Sequence, residues 1–143
     1  MTTTDLILNI SVTIHAPKSK VWSALTDPEQ IKKYLFGTET TTDWKVGSPI
    51  TFSGVWEGKS YIDKGKILQI ENEKILKYSY WSSFSGKEDK PENYANVTYA
   101  LEDHHGNTIF HLTQDGIKTK EAHDHSEQNW KMVLNSLKDL LEK

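Results

Sequence analysis

Trp130-Lys131-Met132-Val133-Leu134-Asn135-Ser136-Leu137-Lys138-Asp139-Leu140-Leu141-Glu142 is the stretch on which the architecture turns. Trp130, Val133, Leu134, Leu137, Leu140 and Leu141 recur at the i, i+3, i+4, i+7 spacing that gathers side chains on one helical face. Lys131, Asn135, Lys138, Asp139 and Glu142 fall on the other faces. The spacing predicts one helix over 120–142, with Thr119 as its candidate cap. At roughly 1.5 Å per residue that helix is about 34 Å long. Six large apolar groups at roughly 1.5–3 kcal/mol each contribute on the order of 10 kcal/mol or more, before the entropy of ordering them. A stripe of that length needs a partner of equal length.

The partner is legible upstream. Leu6, Leu8, Ile10, Val12 and Ile14 alternate with polar residues, as in a half-buried strand. Pro17 suits the first position of a short helix with Val21, Trp22, Ala24 and Leu25 on its apolar face. Asp27-Pro28-Glu29-Gln30 stops that helix and starts another, with Asp27 as cap and Gln30 reaching back. Ile31, Tyr34 and Leu35 form the second helix's apolar side, and Gly37 ends it. Beyond Thr38 the period becomes two: Ile50, Phe52 and Trp56; Tyr61 to Ile70, with a phase slip near Gly65; Leu76, Tyr78 and Tyr80; Val97, Tyr99 and Leu101; Phe110 and Leu112. Asp103 to Asn107 reads as a turn, Asp115-Gly116 as the end of the last strand, and Ser82–Asn93 as an exposed loop that could serve as a lid. A strand over 93–103 is about 36 Å long at roughly 3.3 Å per residue, which matches the helix. The predicted class is α+β, in the order β-α-α-β(5–6)-α: a strongly bent antiparallel sheet around a long C-terminal helix, with two short helices after strand 1.

Composition narrows the function. A chain of 143 residues is the size of one domain, 1–143, and buries a core without staples. It has no cysteine, which excludes disulfides and thiolate chemistry. Met1 to Asp5 is polar, and no window approaches 18 apolar residues, so neither a signal peptide nor a membrane span is expected and the cytoplasm is the default. Net charge is −3 with both signs interspersed, so no basic patch favours nucleic acid. Five tryptophans and six tyrosines stand out, each an apolar body with one polar tip.

Ala16-Pro17-Lys18-Ser19-Lys20-Val21-Trp22-Ser23-Ala24-Leu25-Thr26-Asp27-Pro28-Glu29 resembles the opening motif of the activator of heat-shock-protein-90 ATPase homologue family, within the START-like (SRPBCC, Bet v-like) superfamily. Asn129-Trp130, Leu134, Leu137-Lys138 and Leu141-Glu142 are similar to that family's last-helix pattern. Gly65 to Leu68, Val97 to Tyr99 and Thr108 to Gly116 fit its strands, so the resemblance spans nearly the whole chain. It departs at Asn129, where the family commonly has glycine, which bears on pocket shape rather than fold. The resemblance implies a helix-grip (START-like) fold with a hydrophobic cavity between sheet and helix. It also implies a small-molecule binder of unassigned ligand. In that family the chaperone-activating, stress-response role belongs to longer proteins with an additional N-terminal domain.

The candidate cavity residues are Phe52, Trp56, Tyr78, Tyr80, Tyr99, Phe110, Leu112, Gln114, His123, Trp130 and Leu134. Sheet-side aromatics meeting Trp130 either bound a chamber with phenol and indole tips for a ligand's polar end, or fill the core. Gln114 either bonds a ligand or a neighbouring tyrosine, and His123 either edges the entrance or lies in solvent. His123 and His125 point about 200° apart on a helix and His104-His105 lies in a turn, so no metal is expected. Asp63, Glu57, Asp115 and Glu127 are possible edge carboxylates, but their neighbours suggest no acid–base pair, so no catalytic residue is assigned. No cofactor motif is present. The expected ligand is small and apolar, aromatic or lipid-like; a chaperone or other protein partner is the alternative, and a cyclase- or hydrolase-type enzyme the third reading. Trp130→Ala should lower stability by roughly 3–5 kcal/mol if the indole is buried, which a urea-unfolding curve would measure; an unchanged curve would mean the helix packs otherwise.

Overall fold

Alternate residues of the first strand, β1 (Leu6–Ile14), turn inward, and Leu8 and Ile14 are fully buried. The computed structural model describes residues 6–35, 37–56, 58–82, 88–90 and 93–142. After β1 come α1 (Lys18–Thr26), α2 (Pro28–Tyr34), then β2 (Glu39–Thr41), β3 (Pro49–Trp56), β4 (Lys59–Glu71), β5 (Ile75–Tyr80), β6 (Ala95–His104), β7 (Asn107–Ile117) and α3 (Lys120–Glu142). The strands form one antiparallel sheet in the order β1-β7-β6-β5-β4-β3-β2. α3 lies along β1 and against both short helices. This is the bent sheet and long terminal helix that the periodicity implies.

Local chemistry explains the boundaries. Asp27 accepts the Glu29 N–H, Pro28 occupies the first turn of α2, and the Gln30 amide donates to the Asp27 carboxylate at 3.2 Å. Thr119 caps α3 by accepting the Ala122 N–H at 3.0 Å. The His105-Gly106 turn has positive φ at both residues, the backbone that a two-residue hairpin needs to match strand twist.

Four local expectations shift. Pro17 is the residue before α1 rather than its first helical residue. The phase slip in β4 falls between Ile67 and Gln69, not at Gly65. Gly65 has another reason: a Cβ there would lie 1.6 Å from the Ser79 carbonyl oxygen, so the two backbones approach as only glycine permits. Asp115-Gly116 does not end β7; the strand bends there, with Gly116 at φ +71, and continues until Ile117 pairs with Leu6. Leu6 is 37% exposed, so the inward alternation of β1 begins at Leu8. Most of the Ser82–Asn93 loop lies outside the described residues, as do Met1 to Asp5.

Leu134, Leu137 and Leu141 are buried, while Trp130, Val133 and Leu140 are half-buried against the core. Among the described residues no helix is long and apolar enough to cross a membrane. Gly65→Ala is expected to cost about 3 kcal/mol or more by forcing β4 off β5. Its urea midpoint against the parent tests this, and a parent-like midpoint would refute the close approach.

Candidate functional site

Two short helices roof one end of the sheet, and a small interior void lies beneath them. α2 presents Ile31, Tyr34 and Leu35; α1 adds Leu25; the β2–β3 connection adds Trp44. The sheet contributes Ile50 and Phe52 from β3, Leu76 and Tyr78 from β5, and Tyr99 from β6. The void is about 10 Å³, which is about the space one water needs. Leu35 and Trp44 are half-buried and form its outer side, whereas Tyr34, Tyr78 and Tyr99 are buried.

The local sequence sets this roof. Leu35 ends α2 where its N–H reaches the Ile31 carbonyl, and Gly37, at φ +93, returns the chain to the sheet. The Thr38 hydroxyl donates to the Leu35 carbonyl at 2.7 Å and accepts from the Tyr61 hydroxyl at 2.6 Å, which pins the start of β2. Lys32 and Glu39 close an exposed ion pair of 2.7 Å between α2 and β2. Trp44 adopts φ +60, a left-handed backbone that costs a bulky side chain about 1–2 kcal/mol.

Four phenols give the site its polarity. The Tyr78 and Tyr99 hydroxyls share a hydrogen bond of 2.7 Å, and the Tyr80 hydroxyl donates to Asp63 at 2.6 Å. Asp63 is buried and pairs in register with Phe52. Tyr34 makes no hydrogen bond among the described residues. Burial pushes the Tyr34, Tyr78, Tyr80 and Tyr99 hydroxyls well above the usual phenol range, because a phenolate there would lose its hydration. Neighbouring phenols, and Asp63 beside Tyr80, raise the first three further. At neutral pH the site therefore holds hydrogen-bond donors. Thr40, opposite Phe52, buries a hydroxyl with no partner among the described residues, but it does not line the void.

Of the eleven cavity candidates, Phe52, Tyr78 and Tyr99 line this void. Tyr80 stands behind them, 6.1 Å from the Phe52 ring and 6.4 Å from the Tyr78 ring. Trp130 meets Tyr99 edge-on at 6.0 Å, and its indole N–H donates to the Gln114 side chain at 2.7 Å. Gln114 thus accepts from a tryptophan rather than from the expected tyrosine. Phe110 packs 5.3 Å from Tyr99, and Leu112 and Leu134 are core residues. His123 is half-buried beside Asp124 and does not line the void. The Trp56 side chain and Glu57 lie outside the described residues. Asp115 is held by the backbone and side chain of Asn96, and Glu127 sits 4.0 Å from Lys131. Among the described residues no three His, Cys, Asp or Glu side chains converge as metal ligands would.

Sequence reading missed Trp44 outright, because residues 42–48 carry no periodic signal. Tyr34, Ile31 and Leu35 were legible as an apolar face but not as the roof of a site.

The family model described as Activator of Hsp90 ATPase homolog 1-like protein matches residues 15–142. The solution structure of ChR145 from Cytophaga hutchinsonii is 46% identical with a TM-score of 0.85, over 99% of this chain and 97% of that one. The Aha1 dimer from Colwellia psychrerythraea, also a solution structure, is 22% identical with a TM-score of 0.76, over 96% of each chain. The crystal structure of Ara h 8.0201 is 15% identical with a TM-score of 0.77, over 96% of this chain and 97% of that one. The last two show likeness of fold alone. No curated protein matches the chain.

The buried phenols set a pH limit. Their protons stay on in the folded state after an unfolded tyrosine, near pH 10, has lost its own, so the unfolded state binds fewer protons above that pH. Stability should be flat with respect to these groups below pH 10. Above it, stability should fall by about 1.4 kcal/mol per pH unit for each phenol still protonated only in the fold. Urea midpoints from pH 9 to 12, with tyrosinate absorbance, check this; a midpoint unchanged to pH 12 would mean the phenols are not buried.

Proposed function

This chain belongs to the Activator of Hsp90 ATPase homolog 1-like family, and from that premise we propose that it is a small-molecule receptor whose ligand is apolar or aromatic and sits beneath α2. The family and fold support a ligand-binding or co-chaperone-like module; the finer reading rests on Trp44. A bulky residue kept in a strained backbone conformation, roofing a space walled by aromatic rings, is a feature that packing alone does not favour.

Ligand pockets occupy roughly 300–1,000 Å³, so a void of about 10 Å³ means that the ligand enters by displacing the roof. The roof is the cheapest part of the fold to move. α2 has seven residues, too few to be stable without its packing. The Lys32–Glu39 pair is exposed and contributes little. Releasing Trp44 from its left-handed backbone returns about 1–2 kcal/mol. β3, β5 and β6 stay as the floor. The reading takes the chain as one non-enzymatic domain without a cofactor, and keeps the cytoplasm as its compartment, where a cysteine-free chain loses nothing.

A second reading is favoured by Val55 and Ile62, 66% and 56% exposed and diagonal to one another across β3 and β4. It makes the protein an interaction module that docks a chaperone or other protein through the outer sheet face.

The neutral probe N-phenyl-1-naphthylamine separates the two. The receptor reading expects saturable binding of one equivalent, with energy transfer from tryptophan that falls markedly in Trp44→Phe. Absence of saturable binding would overturn it in favour of the docking module.

A further inference from the structure

Only the middle side chain of β2 turns inward. Glu39 and Thr41 are exposed, whereas Thr40 between them is 6% exposed. Thr40 stands opposite Phe52 in the register of β2 with β3. Directly paired residues share one face of a sheet, so Thr40 lies on the face where Phe52 floors the void. β2 is the edge strand, with β3 on one side and no strand on the other. Cover for the Thr40 side chain therefore comes from the inner face, where α2 packs against β2.

Among the described residues, Thr40 Oγ1 is the one buried side-chain nitrogen or oxygen with no hydrogen-bond partner. The other two buried threonines are served: Thr38 donates to the Leu35 carbonyl, and Thr108 donates to the Ala16 carbonyl at 2.8 Å. A hydroxyl carries one proton and two lone pairs, and at Thr40 all of them have lost water without gaining a protein group. That loss raises the free energy of the closed structure. Valine has the same branched shape and would fill the position without it. The hydroxyl is therefore favourable only in a state where Thr40 is uncovered.

We propose that Thr40 sets how readily the roof opens: its hydroxyl destabilises the closed roof and is hydrated once α2 lifts. Thr40 belongs to the sheet rather than to the roof, so it stays in place when α2 moves. The hydroxyl acts in the same direction as the strained Trp44 backbone, from the opposite side of the void. The inference rests on the receptor reading above and adds the residue that tunes its affinity. A ligand that binds only the open form has an apparent Kd that rises as the open fraction falls.

Thr40→Val tests it by native-state amide exchange on the free protein and by titration with N-phenyl-1-naphthylamine. The reporting amides are Ile31, Leu35, Gly37 and Thr38, which donate to the Asp27, Ile31, Lys32 and Leu35 carbonyls. In the variant they should exchange roughly five- to tenfold more slowly, and the probe's Kd should rise by about the same factor. The urea midpoint should rise as well. Exchange at these amides unchanged or faster overturns the inference, even with a higher midpoint, because the hydroxyl would then be buried away from the roof. Slower exchange with unaltered probe affinity also overturns it, since binding would not pass through roof opening. If the probe binds neither protein, the receptor reading falls and the exchange rates alone decide the role of Thr40.

Discussion

The pairing of β1 with β7 is the constraint from which the remaining packing follows. Leu8 stands against Gln114, Ile10 against Leu112, Val12 against Phe110 and Ile14 against Thr108. That seam completes the surface along which α3 lays Leu134, Leu137 and Leu141. It also fixes the exit of β1, where the buried Thr108 hydroxyl donates to the Ala16 carbonyl at 2.8 Å. α1 and α2 depart from there, so the position of the roof is set by a contact between the first and last strands of the chain, neighbours at one edge of the sheet. The far end of α3 is held by the same strand: Glu142 accepts the His15 N–H at 2.8 Å, and Lys138 donates to the Thr13 carbonyl at 2.9 Å.

The interior divides into two regions with different chemistry. Beneath α3, the Trp130 indole finds its partner on the neighbouring Gln114 side chain. Beneath α2, the tyrosines meet a water-sized space and Trp44 closes it from outside. The division follows from helix length. A helix of 23 residues covers the sheet with a continuous stripe, whereas α2 covers its end with seven and needs help from a loop. The proposed ligand site lies where coverage is thinnest, which is also where displacement costs least.

Periodicity made most of the architecture readable, because each element buries one face and the spacing of that face differs between helix and strand. The terminal helix, the inward residues of β5 and β6 and the Asp27 cap all follow from it. What depended on two distant backbones meeting did not. Gly65 against Ser79 is a contact between strands that no spacing within β4 encodes, and the bend at Gly116 that lets β7 run on to Ile117 is likewise a response to β1. The candidate site shows the same division. Phe52, Tyr78 and Tyr99 were identifiable from alternation, whereas Trp44 owes its position to a backbone conformation outside any repeat. Trp130 was legible as a sheet-facing anchor, but a one-dimensional pattern cannot distinguish a wall from a plug.

The β1–β7 seam also governs how the molecule is made. Partners such as Ser11 and His111 are 100 residues apart, so β1 leaves the ribosome long before its neighbour exists. At about 5–20 residues per second, the wait is on the order of ten seconds. Throughout it Leu8, Ile10, Val12 and Ile14 are exposed on a strand with neither edge occupied, a target for holdase chaperones and for neighbouring nascent chains. Yield in the cell should therefore answer to translation speed and crowding at the exit tunnel as much as to the stability of the finished protein.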